Sequence, residues 1–190
     1  MRLSILSLLL CSALLTSGCS SVLTTMDTGT IEDDPGERTM GQMLEDQNIE
    51  TKATVNIHAA NEAFDNTHIN IISYNGFVLM VGQVPTQALK DQATDVVRNI
   101  RAVRRIYNEL ELAAPSSAMT RASDSWITAK VKSWLLGSSD IQGNRVKVVT
   151  EDGVVYLMGL ATAAEAERIS DTAAGISGVQ RVVRLFEIIN

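Results

Sequence analysis

The sequence predicts an α+β fold in which one structural unit occurs twice, each time in the order helix, strand, strand, helix, strand. Two observations lead to this prediction. Asn75-Gly76 and Asp152-Gly153 each separate two apolar runs, a pattern typical of a β-hairpin with a type I′ turn, because both turn residues need positive φ. The two glycines are 77 positions apart, as are Gly82 and Gly159. The runs therefore belong to an internal repeat.

The amino terminus predicts export. Residues 1–18 hold one basic residue, an apolar run and small residues ahead of Cys19, a pattern typical of a secretory signal peptide and too short for a transmembrane helix. The segment resembles a bacterial lipobox, although Thr16 stands where that motif normally has Leu. The resemblance implies that Cys19 is acylated and becomes the first residue of the mature chain. The alternative is an ordinary signal peptide cut near Gly18, which would leave Cys19 as a free thiol.

The residues behind Cys19 predict a location and a tether. Ser20, rather than Asp, follows the cysteine, and by resemblance to Gram-negative lipoproteins this implies the outer membrane, with the protein facing the periplasm. Two or three acyl chains on Cys19 would make the anchor effectively permanent. Residues 19–45 show little apolar periodicity and an acidic cluster, so we interpret them as a flexible tether.

The elements of the two units follow in order from local patterns. Alternating apolar residues and hairpin signals predict the strands, which are Ile69–Tyr74, Phe77–Val81 and Arg104–Leu112, then Val146–Thr150, Val154–Met158 and Arg181–Ile189. Thr86 starts the second helix of the first unit, and Thr162 with Glu165 forms a capping box at the matching helix. We divide the chain into a signal peptide (1–18), a tether (19–45), a first domain (46–113), a linker (114–120) and a second domain (121–190).

Three segments carry a specific family resemblance. They are Val78-Leu79-Met80-Val81-Gly82-Gln83, the stretch Trp126–Ser133, and Val155-Tyr156-Leu157-Met158-Gly159-Leu160. They resemble the BON domain, and two such units behind a lipobox resemble the dual BON-domain lipoproteins of the outer membrane. The resemblance implies a three-stranded mixed sheet with two helices on one face in each domain. It also implies binding of anionic phospholipid, a place at the outer membrane and the division site, and a role in envelope integrity.

The first helix of the second unit, about Asp124 to Leu136, holds the candidate binding residues. At about 100° per residue, one stripe contains Ile127, Val131, Trp134 and Leu135, and we expect it to face the core. Trp126 and Leu136 fall off the stripe. In the first unit the positions of Trp126, Trp134 and Leu136 hold polar residues, which are Asn48, Asn56 and His58. The second unit therefore carries apolar groups that folding did not require of the first.

The distribution of charge also favours the first helix of the second unit as the binding surface. Residues 121–147 hold five basic and two acidic residues, a local charge of +3 in a mature chain of −7, and basic residues are attracted to an anionic leaflet. The family's lipid-binding surface maps to Trp126, Lys130, Val131, Lys132 and Leu136, with Trp134 at its boundary. The implied partners are phosphatidylglycerol and cardiolipin. The alternative is an adaptor whose apolar patch binds an envelope protein or the other domain.

Other function classes find little support. The acidic balance argues against nucleic-acid binding, and Cys11 lies in the signal peptide, so the mature chain has no disulfide. His58 and His68 have no metal-ligand spacing, and no nucleophile elbow or phosphate loop is present. We therefore expect a non-enzymatic protein without metal or cofactor, apart from the acyl chains on Cys19.

Overall fold

A computed structural model describes residues 34–190, so the predicted signal peptide, the acylation of Cys19 and most of the tether lie outside the described residues. Two αββαβ units follow one another, as predicted. The first contains α1 (Met40–Ala60), β1 (His68–Tyr74), β2 (Phe77–Val84), α2 (Gln87–Arg98) and β3 (Arg105–Leu112). The second contains α3 (Ala118–Gly137), β4 (Lys147–Glu151), β5 (Val154–Ala161), α4 (Ala163–Ala174) and β6 (Arg181–Ile188).

Each unit forms a three-stranded mixed sheet, which confirms the predicted fold class. The sheet orders are β1-β2-β3 and β4-β5-β6, and in both the hairpin pair is antiparallel while the last pair is parallel. Asn75 and Gly76 have φ values of 52° and 75°, and Asp152 and Gly153 have 47° and 74°. Both turn residues are left-handed in each hairpin, as a type I′ turn requires.

The tether prediction is wrong for its last residues. Thr39 starts α1 with a capping box, in which its side chain accepts from the Gln42 amide and the Gln42 side chain accepts from the Thr39 amide. Just before it, the Arg38 guanidinium lies 2.6 Å from Asp46 and 3.7 Å above the centre of the Tyr74 ring. This segment is therefore held by specific contacts, which its composition did not reveal.

The first helix of the second unit is longer than predicted. It starts at Ala118, six residues before Asp124 and inside the stretch that we assigned to the linker. Ser117 is its N-cap, because the Ser117 hydroxyl accepts from the Thr120 amide at 3.1 Å. The predicted caps of the later helices are confirmed, with Thr86 accepting from Leu89 and Thr162 paired with Glu165.

Two hydrophobic cores lie between the helices and the sheets. Ile49, Ala53 and Ile57 of α1 are buried in the first core. Ile127, Val131 and Leu135 of α3 are buried in the second. In each helix these side chains recur every four residues and so form one face.

A third core lies between the two sheets and joins the domains. It contains side chains from the opposite sheet faces, which are Ile72, Tyr74, Phe77, Leu79, Val81, Val149, Val154, Tyr156, Met158 and Leu185. All eight residues of β2 are buried, because alternate side chains face the helices on one side and the other domain on the other. Burial at this interface raises the pKa of Tyr156 to about 12. The two domains are thus packed sheet against sheet, with their helices outside.

Polar contacts close the rim of this interface. The Tyr74 hydroxyl donates to the Arg145 carbonyl at 2.8 Å, and the Gln83 amide donates to Glu151 at 2.9 Å and to Asp152 at 2.7 Å. At the other hairpin Glu187 accepts from Arg104 and from Asn75. Each hairpin turn therefore contacts the neighbouring domain.

Candidate functional site

A buried aspartate fixes the position of the first helix in each domain. Asp124 on α3 accepts from the amides of Asp152 and Gly153 at 3.0 and 2.9 Å. Asp46 on α1 does the same for Asn75 and Gly76 at 2.8 and 2.9 Å. We call these two residues the turn-capping aspartates. They are 78 positions apart, the offset that also relates Trp126 to Asn48.

The Asp46 carboxylate is the more strongly bound of the two. Besides the turn amides it accepts from the Ser73 hydroxyl and from Arg38. Burial alone would raise the pKa of Asp46, but the hydrogen bonds from Ser73, Gly76, Arg38 and Asn75 outweigh it and lower the pKa. The carboxylate therefore stays charged inside the fold and holds the hairpin against the helix.

With its inner side fixed in this way, α3 presents large apolar side chains outward. Met119 is 81% exposed, Trp126 67%, Trp134 65% and Leu136 62%. We call these four residues the tryptophan face. At about 100° per residue, Met119 and Trp126 lie nearly in line, Leu136 lies to one side of them and Trp134 to the other. Sequence reasoning missed Met119, although its place seven residues before Trp126 is the signal for a shared helix face.

The matching surface of α1 is different. Asn48, Asn56 and His58, which stand where Trp126, Trp134 and Leu136 stand in α3, are all exposed. This helix does expose some apolar side chains, which are Met40, Met43, Leu44 and Val55. Three of them lie in its first two turns, and none is aromatic. The two tryptophans of the chain are thus both exposed on the outward side of α3.

The structure corrects one predicted site residue, Val131, and the predicted burial of another, Trp134. Val131 is fully buried in the second core, so it cannot contact a lipid; it stands four residues from both Ile127 and Leu135 and shares their inward face. Trp134 was placed on the core stripe, but it is 65% exposed, because it lies at the edge of that stripe in the last turn of α3. It lies beside Ser133, Gly137 and Thr172 at an open groove between α3 and α4.

The five basic residues of residues 121–147 lie at different places in the structure. Lys132 is exposed on α3, and Lys130 donates to the carbonyl of Ser177 at the edge of the tryptophan face. Arg145 lies 3.4 Å from Glu37. Arg121 and Lys147 line a cavity between the domains, together with Glu50 and Glu151. Only Lys130 and Lys132 therefore flank the tryptophan face.

The tryptophan face does not pack against the first domain, so the alternative in which this apolar patch binds the other domain is wrong. The interface between the domains is built from the sheet faces, and its core contains no residue of α3. The four side chains of the tryptophan face are left on the outer surface of the molecule. Several large apolar side chains exposed on one helix typically mark a surface that meets a membrane or another protein.

Residues 34–190 offer little to other kinds of site. Within this range no three His, Cys, Asp or Glu side chains are grouped so that they could hold a metal ion. The same part of the chain contains no helix with the length and apolarity needed to cross a bilayer. The outward side of α3 is the candidate site that its geometry supports best.

Comparison with known proteins identifies the fold. The family model of the BON domain matches residues 45–114 and 123–190. The chain belongs to the BON-domain family. The two BON domains coincide with the two αββαβ units, and this confirms the resemblance seen in the sequence.

Three curated relatives share most of this architecture. The outer membrane lipoprotein DolP of Haemophilus influenzae is 34% identical over 153 residues, which cover 80% of this chain and 79% of the relative. The 21 kDa hemolysin of Actinobacillus pleuropneumoniae is 31% identical over 152 residues, covering 80% and 78%. Osmotically-inducible protein Y of Escherichia coli is 27% identical over 188 residues, covering 94% and 92%. The relatives support an envelope lipoprotein role for a dual BON-domain chain.

Proposed function

We propose that this protein is a non-enzymatic outer-membrane lipoprotein, anchored through Cys19 and facing the periplasm, whose second BON domain docks on anionic phospholipid through α3. The observation that carries the proposal is the tryptophan face, which is exposed on the outside of the molecule and flanked by Lys130 and Lys132. The docked protein would support envelope integrity, at division sites in particular.

Tryptophan suits such a contact. Its ring prefers the boundary between lipid headgroups and acyl chains, where the apolar part is buried and the indole N–H stays in water. Burial of one large apolar side chain contributes about 1.5–3 kcal/mol, and each basic residue near an anionic leaflet about 1 kcal/mol. A few such groups give a weak and reversible contact. The anchor raises the local concentration of the domain at the membrane, so weak binding is enough.

Vesicle flotation tests the proposal. The mature chain carrying Cys19→Ala is mixed with vesicles of phosphatidylcholine alone or with added phosphatidylglycerol or cardiolipin. We expect flotation only with the anionic lipids, because Lys130 and Lys132 need a negative surface. Trp126→Glu should reduce binding by about tenfold or more, since an aromatic group that would enter the lipid is replaced by a charge. Asn48→Glu, at the matching exposed position of α1, is the control and should bind normally.

Two outcomes would contradict the proposal. Absence of flotation with both anionic lipids would exclude docking on phospholipid. Binding that survives Trp126→Glu would move the contact to another surface. In either case the protein-binding adaptor, in which the tryptophan face binds an envelope protein, becomes the better description. The anchor has its own test, because Cys19→Ala in cells should move the protein from the membrane fraction to the soluble periplasm.

A further inference from the structure

The cavity between the two domains runs along the edges of two strands. Its walls include consecutive residues of β1, from Asn70 to Ile72, and all five residues of β4, whereas β3 and β6, the other two edge strands, lie outside it. Since alternate side chains of a strand point to opposite faces of its sheet, a wall of consecutive residues exposes the strand edge itself. The cavity has a volume of about 510 Å³, within the range of about 300–1,000 Å³ typical of ligand sites. We call it the edge groove.

The edge of β4 offers free backbone groups to this groove. Glu151 and Val154 flank the two-residue turn as a hydrogen-bonded pair, and bonded pairs recur at every second residue. Val148 and Thr150 fall between these pairs, so their N–H and C=O groups point away from β5. Within residues 34–190 no other group forms a hydrogen bond with these amides and carbonyls. Such an edge can pair with a further strand.

The first domain shows how the corresponding edge is occupied there. Ser73 of β1 stands where Thr150 stands in β4, and the outward amide of Ser73 donates to the Glu50 carboxylate of α1 at 2.8 Å. The residue of α3 equivalent to Glu50 is Thr128. Its shorter side chain donates to the Thr150 hydroxyl at 2.7 Å instead. One substitution between the repeats thus leaves the Thr150 amide free.

The charges of the edge groove are mixed. Its walls hold carboxylates and cationic groups side by side, which are those of Glu50, Asp124, Glu151, Arg121 and Lys147. The carboxylates of Glu50 and Asp124 already accept from backbone amides. A charged ligand of either sign would meet repulsion as well as attraction. Recognition in this groove therefore depends on the free backbone groups of β4 rather than on charge.

We propose that the edge groove binds an extended segment of another polypeptide, which adds a strand to β4 beside Val148 and Thr150. The main chain of the segment pairs with the free amides and carbonyls, because an extended polypeptide supplies donors and acceptors at the spacing of a strand. Contacts of this kind tolerate many sequences but exclude proline at a pairing position. The tryptophan face lies outside the edge groove, so this inference does not rest on the proposed docking on lipid.

A synthetic pentapeptide tests the inference. The probe is acetyl-Thr-Val-Ser-Val-Thr-amide, which is uncharged and rich in residues that favour strands. Its binding to the mature Cys19→Ala chain is followed by amide hydrogen exchange in NMR spectra. We expect the amides of Val148 and Thr150 to exchange at least about tenfold more slowly when the peptide is saturating. The same peptide with N-methylated backbone amides has no N–H donor and should give no protection.

Thr128→Glu introduces into α3 the residue that occupies the β1 edge in the first domain. Its carboxylate should accept from the Thr150 amide as Glu50 accepts from Ser73, and peptide binding should weaken by about tenfold or more. Thr128→Val is the matched control, since it has no group that could accept from the amide, and it should bind the peptide normally. Trp126→Glu should also bind the peptide normally, because Trp126 lies outside the edge groove.

Four outcomes would overturn the inference. They are no binding of the peptide, unchanged binding by folded Thr128→Glu, equal loss of binding in Thr128→Val, and slow exchange at Val148 and Thr150 before any peptide is added. The last outcome would mean that a segment of the chain itself covers the edge. A failure of vesicle flotation would overturn the proposed function and leave this inference standing. A circular dichroism spectrum and melting temperature like those of the unmodified chain show that each variant is folded.

Discussion

The helices α1 and α3 occupy equivalent places in two copies of one unit, yet they carry similar residues only on the side that faces the core. Each is capped at its start, each carries a turn-capping aspartate, and each buries three small or branched residues at intervals of four. On the outer side α1 has Asn48, Asn56 and His58 where α3 has Trp126, Trp134 and Leu136. Packing restricts the inward half of the helix, and the outward half is free to acquire a function of its own.

The features that the domains share should respond alike to mutation. Replacing a turn-capping aspartate by alanine leaves buried turn amides without an acceptor, and each hydrogen bond to a charged group is worth about 1.5–3 kcal/mol. We therefore expect Asp124→Ala to lower the free energy of unfolding by about 3 kcal/mol or more. Asp46→Ala should cost more, because Asp46 also binds Ser73 and Arg38. Urea unfolding followed by circular dichroism measures both.

Asp140→Ala provides a control for these variants, since Asp140 is an exposed acid in the loop after α3. Its free energy of unfolding should stay close to that of the unmodified chain. If Asp124→Ala were as stable as this control, the hairpin turn would not depend on the helix. The structural equivalence of α1 and α3 would then extend only to their apolar contacts.

The interface between the sheets should make the two domains unfold together. Leu79 is fully buried there, and a change from Leu to Ala in a core typically costs about 2–5 kcal/mol. We expect Leu79→Ala to lower stability by about 3 kcal/mol in one cooperative transition. Leu112→Ala, at a residue that is 54% exposed, should have little effect. Two separate transitions, with the second domain unaffected, would show that the domains are energetically independent.

Low pH should slightly weaken the association between the two domains. The hydrogen bonds from Arg104 lower the pKa of Glu187, against the opposing effect of burial. A carboxyl group whose pKa is lowered by folding contributes stability above its unfolded pKa, and that contribution is lost as the pH falls through the folded value. The melting temperature should therefore fall below about pH 4.5, and Glu187→Gln should reduce this fall. A variant with an unchanged acid profile would show that the ion pair does not stabilise the interface.

Glu151, on the same interface, should act in the opposite sense. Its pKa is raised by burial, although the hydrogen bond from Gln83 and the nearby His68 oppose the shift. The contribution of Glu151 to the stability of the fold is therefore fully present at low pH, and it is lost as the pH rises through the raised pKa. Glu151→Gln retains an acceptor for Gln83, so we expect it to raise the melting temperature slightly at pH 7 and not at pH 4. A decrease at pH 7 would show that the charge itself is needed there.

Local patterns were sufficient to predict the elements of each domain. The Asn-Gly and Asp-Gly turns fixed both hairpins, and the four-residue spacing of Ile127, Val131 and Leu135 identified the inward side of α3. The same spacing should have excluded Val131 from the lipid-binding residues, since one side chain cannot both fill the core and enter a membrane. Trp134 lies near the edge of the stripe, where a shift of one residue changes a side chain from buried to exposed.

Contacts between distant residues could not be predicted so readily. The packing of the two sheets depends on pairs such as Tyr74 and Arg145, which no local pattern connects. A signal was nevertheless present, because the unbroken apolar runs of β2 and β5 are typical of strands buried on both faces. The turn-capping aspartates could also have been found, since an acid recurs at the same place in both units. The segment at Arg38 gave no such signal.

The most direct test exchanges the outward residues between the repeats. In the mature Cys19→Ala chain, the triple variant W126N/W134N/L136H gives α3 the residues that α1 carries at these positions. We expect binding to phosphatidylglycerol vesicles to fall by about tenfold or more, while the melting temperature stays within a few degrees because all three side chains are exposed. Unchanged vesicle binding by the folded variant would contradict the claim that the outer side of α3 is the membrane-docking surface.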